Sequence, residues 1–404
     1  MPIHKISSLL IIILALSFTG TFFGKSLIGI IMGIAVLLSA VMLCVEGRHI
    51  WSEKSRTFRS FFINKEIIAI AGMVFIWLLS SVFARDVPPA LETWAEVTGM
   101  IVGGGIIFAG ISRHQFNFDL FFKICAVTAA IFAFYLVATP FIRGFLPVVD
   151  WKSSYGSVLA MIVPFILLLV FIAKNRKQTI LWGAVLFIIT AAIFASGGRT
   201  AWVCLIVICL CFPFLFPRAE IMYRQFKFML VACMIILGGV AGLYSYKQNV
   251  GDQIYELRTG AMSNMERPAS GRLIVWKNTL PHIEDNLLLG VGMKGSKALN
   301  IDKGEGALVV HVHNAVLEIT LETGILGFIA FVAVIGIFVW NFITAYRAST
   351  SLSAKRQGIT IFMACISYGV ASLALTSMFH AYWFLYLILL LILLKATELT
   401  LRRM

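Results

Sequence analysis

Two histidines separated by one residue are the clearest candidates for chemistry in this sequence. They stand in the run His311-Val312-His313-Asn314, directly before a helical pattern of apolar residues. Asn314 is a favourable helix cap, so we expect a helix to begin after it. The positive end of a helix dipole disfavours an imidazolium nearby, and a neutral imidazole can accept a proton. The position therefore suits a general base.

Two acidic residues follow Asn314 at helical spacing. Glu318 and Glu322 lie on one face of the predicted helix. They could orient a histidine or bind a polar substrate, although acids in a first turn also simply favour the helix dipole. A zinc site would need a third protein ligand besides the two histidines, and no acid is clearly placed to be one. We therefore expect no metal.

Two arginines are candidates for binding an anion. Arg199 lies in a tight connection after Gly197 and Gly198, which allow the backbone to approach a ligand closely. Arg272 begins an amphipathic helical pattern. Each arginine alone is explained equally well as an interfacial or solvated side chain. If the two converge, they can bind phosphate oxygens in pairs, and pyrophosphate on a membrane lipid is the anion to expect.

The elements that must position these residues are membrane helices. The sequence is 60% hydrophobic and 13% charged, with a mean hydropathy of +0.94, whereas a soluble domain carries about 25% charged residues. The apolar runs are continuous and about 15–20 residues long, which fits helices that cross a bilayer and not barrel strands. The sequence therefore predicts an all-α polytopic membrane protein.

We predict about twelve transmembrane helices in a single membrane domain, residues 1–404. The first apolar stretch lacks a signal-peptide cleavage site, so we interpret it as a retained helix. The predicted spans are 8–23, 27–45, 66–83, 94–111, 120–140, 158–173, 180–195, 201–216, 228–244, 325–343, 360–377 and 382–394.

The net charge of +14 is explained by topology and not by a nucleic-acid partner. Lys and Arg form short clusters between spans, mostly on the side of the N-terminus, and positive segments are retained in the cytoplasm. Both termini should therefore be cytoplasmic. The seven cysteines lie in or beside the spans, so we expect neither a disulfide in the loops nor a cysteine metal site.

One connection is much longer than the others. Residues 245–323 are mostly polar and should form an outward-facing loop with structure of its own. Asp252 should cap a short helix, and Ser270 should cap a helix over 271–280 that Pro281 ends. The turns that follow should be marked by Gly290, Gly292 and Gly295.

Three segments, taken in order, resemble the O-antigen ligase family, which shares its core with O-antigen polymerases and bacterial O-oligosaccharyltransferases. They read SGGRTAW around Arg199, SGRLIVW around Arg272 and HVHNAVLEITLETGILG from His311. The resemblance covers Ala195 to about Gly327 and the multi-span topology of the rest. It implies a glycosyltransferase of the membrane-embedded C-type architecture.

The resemblance also implies a reaction. Such an enzyme moves a preassembled glycan from undecaprenyl pyrophosphate to an acceptor, which for a ligase is a sugar hydroxyl of the lipid A–core oligosaccharide. Arg199 and Arg272 match the family's donor-binding arginines, and His313 matches its base. The reaction would invert the anomeric carbon at the periplasmic face of a bacterial inner membrane, without metal or cofactor. The residues expected to support it or to contact substrate are His311, Asn314 and Glu318.

The resemblance leaves several functions open. Ligases often carry an acid near the outer end of the penultimate span, where residues 375–380 here read LTSMFH, so a polymerase remains an alternative. A protein O-oligosaccharyltransferase is less favoured, because such relatives tend to have larger extracytoplasmic parts. A lipid-linked oligosaccharide transporter is the alternative from another class. It is disfavoured because the spans hold few charges, with Glu96 and Lys123 near span ends, and show no inverted repeat.

Overall fold

The computed structural model describes residues 3–20, 25–50, 65–112, 116–143, 152–212, 225–258, 270–299, 301, 311–374 and 378–403. Within these residues it contains thirteen α-helices, one short 3-10 helix (Gly295–Leu299) and no strand. The α-helices are α1 (Ile3–Gly20), α2 (Lys25–Ile50), α3 (Lys65–Val82), α4 (Val87–Ser112), α5 (Phe118–Arg143), α6 (Lys152–Ile172), α7 (Arg176–Ala195), α8 (Arg199–Cys211), α9 (Gln225–Arg258), α10 (Ser270–Asp285), α11 (Ala315–Ala348), α12 (Leu352–Ser372) and α13 (Ala381–Arg403).

The helices fit a multi-pass membrane protein. Among the described residues, seven helices are long and apolar enough to cross a membrane, namely α3 to α7, α11 and α13. Shorter apolar helical stretches lie in α1, α2, α8 and α9. Each of the twelve predicted spans falls on a different helix, and α10 falls in the predicted long loop. The all-helical membrane fold is thus confirmed, while the count of twelve spans and the bounds of the loop remain predictions.

The helix α6 lies at the centre of the bundle. Its apolar stretch is 89% buried, and it packs against α5, α7, α8 and α12. Beside it, α9 crosses α7 at very short range, because a Cβ on Gly238 or Gly242 would lie only 2.7 Å from Phe187 O or 2.3 Å from Ala191 O. Small residues four positions apart allow such close helix contacts in membranes.

A buried ionic cluster joins α3, α11 and α13 at one end of the bundle. Lys395 Nζ lies 2.6 Å from both Glu66 Oε1 and Glu398 Oε2. Asn341 also donates to Glu66 at 2.6 Å, and Arg402 pairs with Glu398 at 2.7 Å. These contacts fix one end of each helix. The opposite end of α3 meets the first part of α11, where Ser80 Oγ donates to Glu322 O at 2.8 Å.

The prediction that Asp252 caps a separate short helix is wrong. The helix α9 runs from Gln225 through Asp252 to Arg258, well past the predicted end of the ninth span. The change from apolar to polar residues near Tyr244 marks a change of surroundings along one helix and not the end of that helix.

The prediction that Pro281 ends the loop helix is also wrong. The helix α10 begins at Ser270, within one residue of the expected start, but continues through the exposed Pro281 to Asp285. Val275 and Ile283, on either side of the proline, are buried in the same apolar cluster. Their packing holds both halves of the helix in line, which outweighs the single backbone hydrogen bond that a proline removes.

The helix α11 is interrupted at Gly324, where the backbone adopts φ 68° and ψ −179°. This conformation is open to glycine but strained for other residues. The interruption separates a short N-terminal piece, residues 315–323, from the long helix that follows. The tenth predicted span begins directly after it, at Ile325. The short piece is the platform on which the candidate site is built.

Candidate active site

The two histidines lie at the start of α11, as the sequence predicts. Asn314 caps this helix, because its side-chain oxygen accepts hydrogen bonds from the backbone N–H of Val316 at 3.0 Å and of Leu317 at 3.3 Å. The predicted cap is confirmed. Between the histidines, Val312 is completely buried. Both imidazoles are half-buried, and their ring centroids are 6.3 Å apart.

His313 has a strained backbone. Its φ is 55°, and Lys294 is the other non-glycine residue with a positive φ in the part of the chain that the structure describes. The left-handed conformation costs about 1–2 kcal/mol for a residue with a Cβ atom. Such strain persists where the surrounding structure enforces it, and it is concentrated at functional sites. The strained position is the histidine that the family resemblance assigns as the base, and that role remains a prediction.

His311 is poorly suited to act as a base. Burial, followed by the positive charges of His313, Lys297 and Lys294, lowers its pKa to about 4. An imidazole with so low a pKa stays neutral at pH 7 but is a weak proton acceptor, since a general base works best with a pKa near the working pH. His313 remains the residue that the family resemblance assigns as the base.

The helix α10 brings Arg272 to the histidine segment. The indole N–H of Trp276 donates to the carbonyl oxygen of Val312, the residue between the two histidines, at 3.1 Å. Arg272 lies one turn before Trp276, so both side chains leave the same face of α10. The Arg272 side chain is exposed. Its guanidinium group is thus accessible to a ligand, and its convergence with the histidines on one ligand remains a prediction.

A small apolar core attaches α10 to the platform. It is separate from the main core of the bundle and combines residues from α10, from the following turns and from the start of α11. Its buried members are Val275, Ile283, Val291, Leu299, Ile301, Val312 and Leu321.

The turns after α10 dock directly onto the interruption in α11. The N–H groups of Val291 and Gly292 donate to the carbonyl oxygens of Leu321 and Glu322, both at 2.9 Å. In return, the N–H of Ile325 donates to Leu287 O at 2.8 Å. The backbone groups that the interrupted helix leaves unpaired are thus satisfied by the loop. Pairing of this kind fixes the loop to the bundle with backbone precision.

Glycines make this docking possible. A Cβ on Gly324 would lie 2.1 Å from Leu288 O, and one on Gly290 would lie 2.6 Å from the backbone of Glu322. Both glycines also have positive φ, of 68° and 70°. The predicted turns at Gly290 and Gly292 are confirmed, and Gly295 begins the 3-10 helix. These glycines contact α11 across a long stretch of sequence, and no local sequence pattern predicts that contact.

The acids of α11 face inwards. Glu318 and Glu322 are completely buried. Glu318 accepts a hydrogen bond from the backbone N–H of Met378 at 2.6 Å, which attaches the segment before α13 to the platform. Glu322 accepts from Lys294 N and from Ser296 Oγ, both at 2.6 Å. In this arrangement both acids position backbone, and contact between Glu318 and substrate remains a prediction.

Arg199 lies in a different part of the bundle. It is the exposed first residue of α8, after the cap residue Gly198, and α8 packs against α6, α7 and α12. The turn before it is tightly packed, because a Cβ on Gly156 would lie 2.4 Å from Ser196 Oγ. Trp276 joins Arg272 to the histidine segment, whereas the convergence of Arg199 on the same ligand remains a prediction.

No group of three or more His, Cys, Asp or Glu residues in the described ranges could hold a metal ion. The expectation of a metal-free reaction is not tested by this observation.

Sequence reasoning missed Lys294, whose signal was its place among the glycines of the Gly290–Gly295 run. For Glu322 it suggested that the side chain orients a histidine or binds a polar substrate, whereas the structure shows it holding the turn at Lys294 and Ser296.

Comparison with known proteins places these residues in one family domain. Residues 184–332 match the family model described as O-antigen ligase, in agreement with the resemblance over Ala195 to Gly327. The matched segment contains Arg199, Arg272, the histidine pair and the interruption at Gly324. No curated protein matches the chain. The match over residues 184–332 supports a relationship of this part of the chain to the O-antigen ligase family.

Proposed function

We propose that the protein is an O-antigen ligase. It transfers a preassembled glycan from undecaprenyl pyrophosphate to a sugar hydroxyl of the lipid A–core oligosaccharide, at the periplasmic face of a bacterial inner membrane. The observation that carries the proposal is the hydrogen bond between Trp276 and Val312, because it joins the helix of Arg272 to the segment of the strained His313.

The chemistry needs a base on the acceptor side. A sugar hydroxyl is a weak nucleophile, and removal of its proton as the new bond forms is worth about 10²–10⁴-fold in rate. His313 takes this proton in our proposal. Because His311 stays neutral, a protonated His313 is not repelled by a second imidazolium beside it.

The chemistry needs positive charge on the donor side. As the acceptor oxygen bonds to the anomeric carbon, the bond to the pyrophosphate oxygen breaks and its electron pair stays on the leaving group, so the carbon is inverted. Arg272 and Arg199 offset the charge that develops there, because preorganised cations stabilise a leaving anion strongly at a site with little water. Arginines can thus take the place of a metal ion.

The architecture also suits substrates that are themselves anchored in lipid. Both the donor and the acceptor arrive by diffusion in the outer leaflet, and α10 with its turns is fixed to the bundle at the membrane end of α11. A rigid platform at this depth lowers the entropic cost of bringing two lipid-anchored molecules together.

A polymerase is the second candidate. It would use the same base and the same arginines, and the sequence LTSMFH at 375–380 lacks the acid that ligases often carry there. Residues 375–377 lie outside the described ranges, and Met378 is bonded to the platform through Glu318.

Deletion of the gene separates the two candidates. Loss of a ligase leaves unmodified lipid A–core and an accumulation of long lipid-linked polymer. Loss of a polymerase leaves core capped by a single repeat unit, and that result would contradict the ligase proposal.

A transporter would be indicated if purified protein transferred no glycan in lipid nanodiscs but moved labelled donor across liposome membranes. Transfer that is lost on adding chelator and restored by a divalent ion would contradict the metal-free reaction.

A further inference from the structure

Lys294 has a backbone conformation that its own side chain makes costly. Its φ is 57°, in a run where glycine already occupies positions 290, 292 and 295. A glycine would adopt the same conformation without steric penalty. The turn itself therefore does not require a lysine, and strain of this kind calls for a functional explanation.

The surrounding structure holds Lys294 in this strained conformation. Its backbone N–H donates to Oε2 of the completely buried Glu322 at 2.6 Å, and Ser296 Oγ donates to Oε1 of the same carboxylate at 2.6 Å. The turn thus occupies both oxygens of this side chain, and loss of these bonds would leave a buried polar group unpaired. The carboxylate fixes the backbone on both sides of Gly295, and with it the direction in which the Lys294 side chain leaves the turn.

The contacts of the ammonium group do not account for this arrangement. Lys294 Nζ lies 3.5 Å from Glu96 Oε2, and the two side chains are 28% and 41% exposed. A long ion pair with this much exposure contributes little to stability, no more than the strain costs. Glu96 is therefore a partner that a stronger anion can displace.

Lys294 is also close enough to the histidine pair to act on it. Its positive charge and that of Lys297 both contribute to the low pKa of His311. Lys297 is exposed, on the 3-10 helix that Glu322 helps to anchor through Ser296. Two lysines thus carry positive charge to the edge of the site that contains His313, and a phosphate group is the ligand that this charge fits.

We propose that Lys294 binds a phosphate group of a substrate at this edge, with Lys297 as a second cation, and that the phosphate replaces Glu96. The proposal rests on the proposed function. Two substrates carry the required chemistry: the lipid pyrophosphate of the donor, and a phosphate on the saccharide of the acceptor. Lys294 is a substrate-binding residue in either case, held in place by Glu322.

The test compares variants of the purified full-length protein in lipid nanodiscs. Binding of undecaprenyl pyrophosphate, of phosphorylated lipid A–core and of the same acceptor after dephosphorylation is measured for Lys294→Met, Lys294→Arg and Lys294→Gly. The matched control is Lys277→Met. Lys277 is an exposed lysine of α10, about 140° around the helix from Arg272.

We expect Lys294→Met to weaken the binding of one phosphorylated ligand by about 10-fold or more, as loss of a charge-assisted contact does. Lys294→Arg should retain most of the binding, and Lys277→Met all of it. Weaker binding of undecaprenyl pyrophosphate assigns the phosphate to the donor. If Lys294→Met binds the phosphorylated acceptor more weakly than the wild type does, and the two proteins bind the dephosphorylated acceptor equally, the phosphate belongs to the acceptor.

Lys294→Gly separates binding from folding. Glycine relieves the strain, so this variant should unfold at the same temperature as the wild type or at a higher one, while binding falls as it does for Lys294→Met. Unchanged binding in both variants, with an active wild type, would overturn the role of Lys294 and leave the proposed function intact. A wild-type protein that binds neither ligand and transfers no glycan would overturn both.

Discussion

The indole N–H of Trp276 donates to the carbonyl oxygen of Val312 at 3.1 Å, so the helix of one candidate donor-binding arginine is bonded to the backbone between the two histidines. This bond lets a helix of the long loop and the start of α11 behave as one unit. The predictions below test what that unit does and what holds it together.

Replacing Arg272 should impair use of the donor. Arg272→Met should lower transfer by about 10²-fold, as loss of a preorganised donor to a leaving anion does. Arg272→Lys should recover only part of the activity, because a lysine cannot bind two oxygens in parallel. Transfer kinetics in nanodiscs measure this, with Lys277→Met as the control. Wild-type kinetics in Arg272→Met would reduce Arg272 to a solvated side chain.

Arg199 should show the same phenotype if it meets the same pyrophosphate. Arg199→Met and Arg272→Met should each weaken binding of undecaprenyl pyrophosphate. The double variant should lose less than the sum of the two single losses, because residues that act on one group are not additive. Fully additive losses would mean that the two arginines act at separate places.

The interruption at Gly324 should tolerate no side chain. Gly324→Ala places a Cβ 2.1 Å from Leu288 O at a positive φ, so we expect a loss of about 2 kcal/mol or more and release of the turns from α11. Gly336→Ala is the matched control. Gly336 lies on the same helix, and a Cβ there would have no neighbour within 4 Å. Limited proteolysis of the loop and the unfolding temperature report the difference. Equal stability of the two variants would contradict the docking described above.

The low pKa of His311 makes stability depend on pH. His311 has a folded-state pKa of about 4 against an ordinary value of 6.5, so the unfolded chain takes up the proton first as the pH falls. The contribution of His311 is therefore fully present above pH 6.5 and lost as the pH falls towards 4. His311→Asn should make the unfolding temperature depend less on pH over this range. A pH profile identical to that of the wild type would show that the imidazole is not so buried.

Local features of the site follow from the sequence, and its assembly does not. Asn314 can be recognised as a cap, and Gly290 and Gly292 as turns, because each depends on residues a few positions away. Docking of the turns onto the interruption at Gly324 depends on backbone groups thirty or more positions apart. Neither segment carries a sequence pattern that predicts contact with the other. Lys294 was missed for the same reason. Its importance comes from Glu322, which only the folded chain brings to it.

The errors in the loop helices have a related cause. A proline at 281 and an aspartate at 252 are ordinary local signals for the end and the start of a helix. Buried neighbours on both sides of Pro281 hold α10 together, and α9 simply continues beyond its apolar part. The spans were easier to predict because lipid forces the backbone of each to satisfy its own hydrogen bonds.

The transfer rate of His313→Asn tests whether His313 is the base of a glycan transfer. Asparagine tolerates the left-handed backbone better than most residues, so this variant should keep the fold, the loop docking and the binding of undecaprenyl pyrophosphate. We expect its glycan transfer from donor to lipid A–core in nanodiscs to fall by about 10²–10⁴-fold, whereas His311→Asn should lose far less activity. Transfer by folded His313→Asn at the wild-type rate would contradict this role.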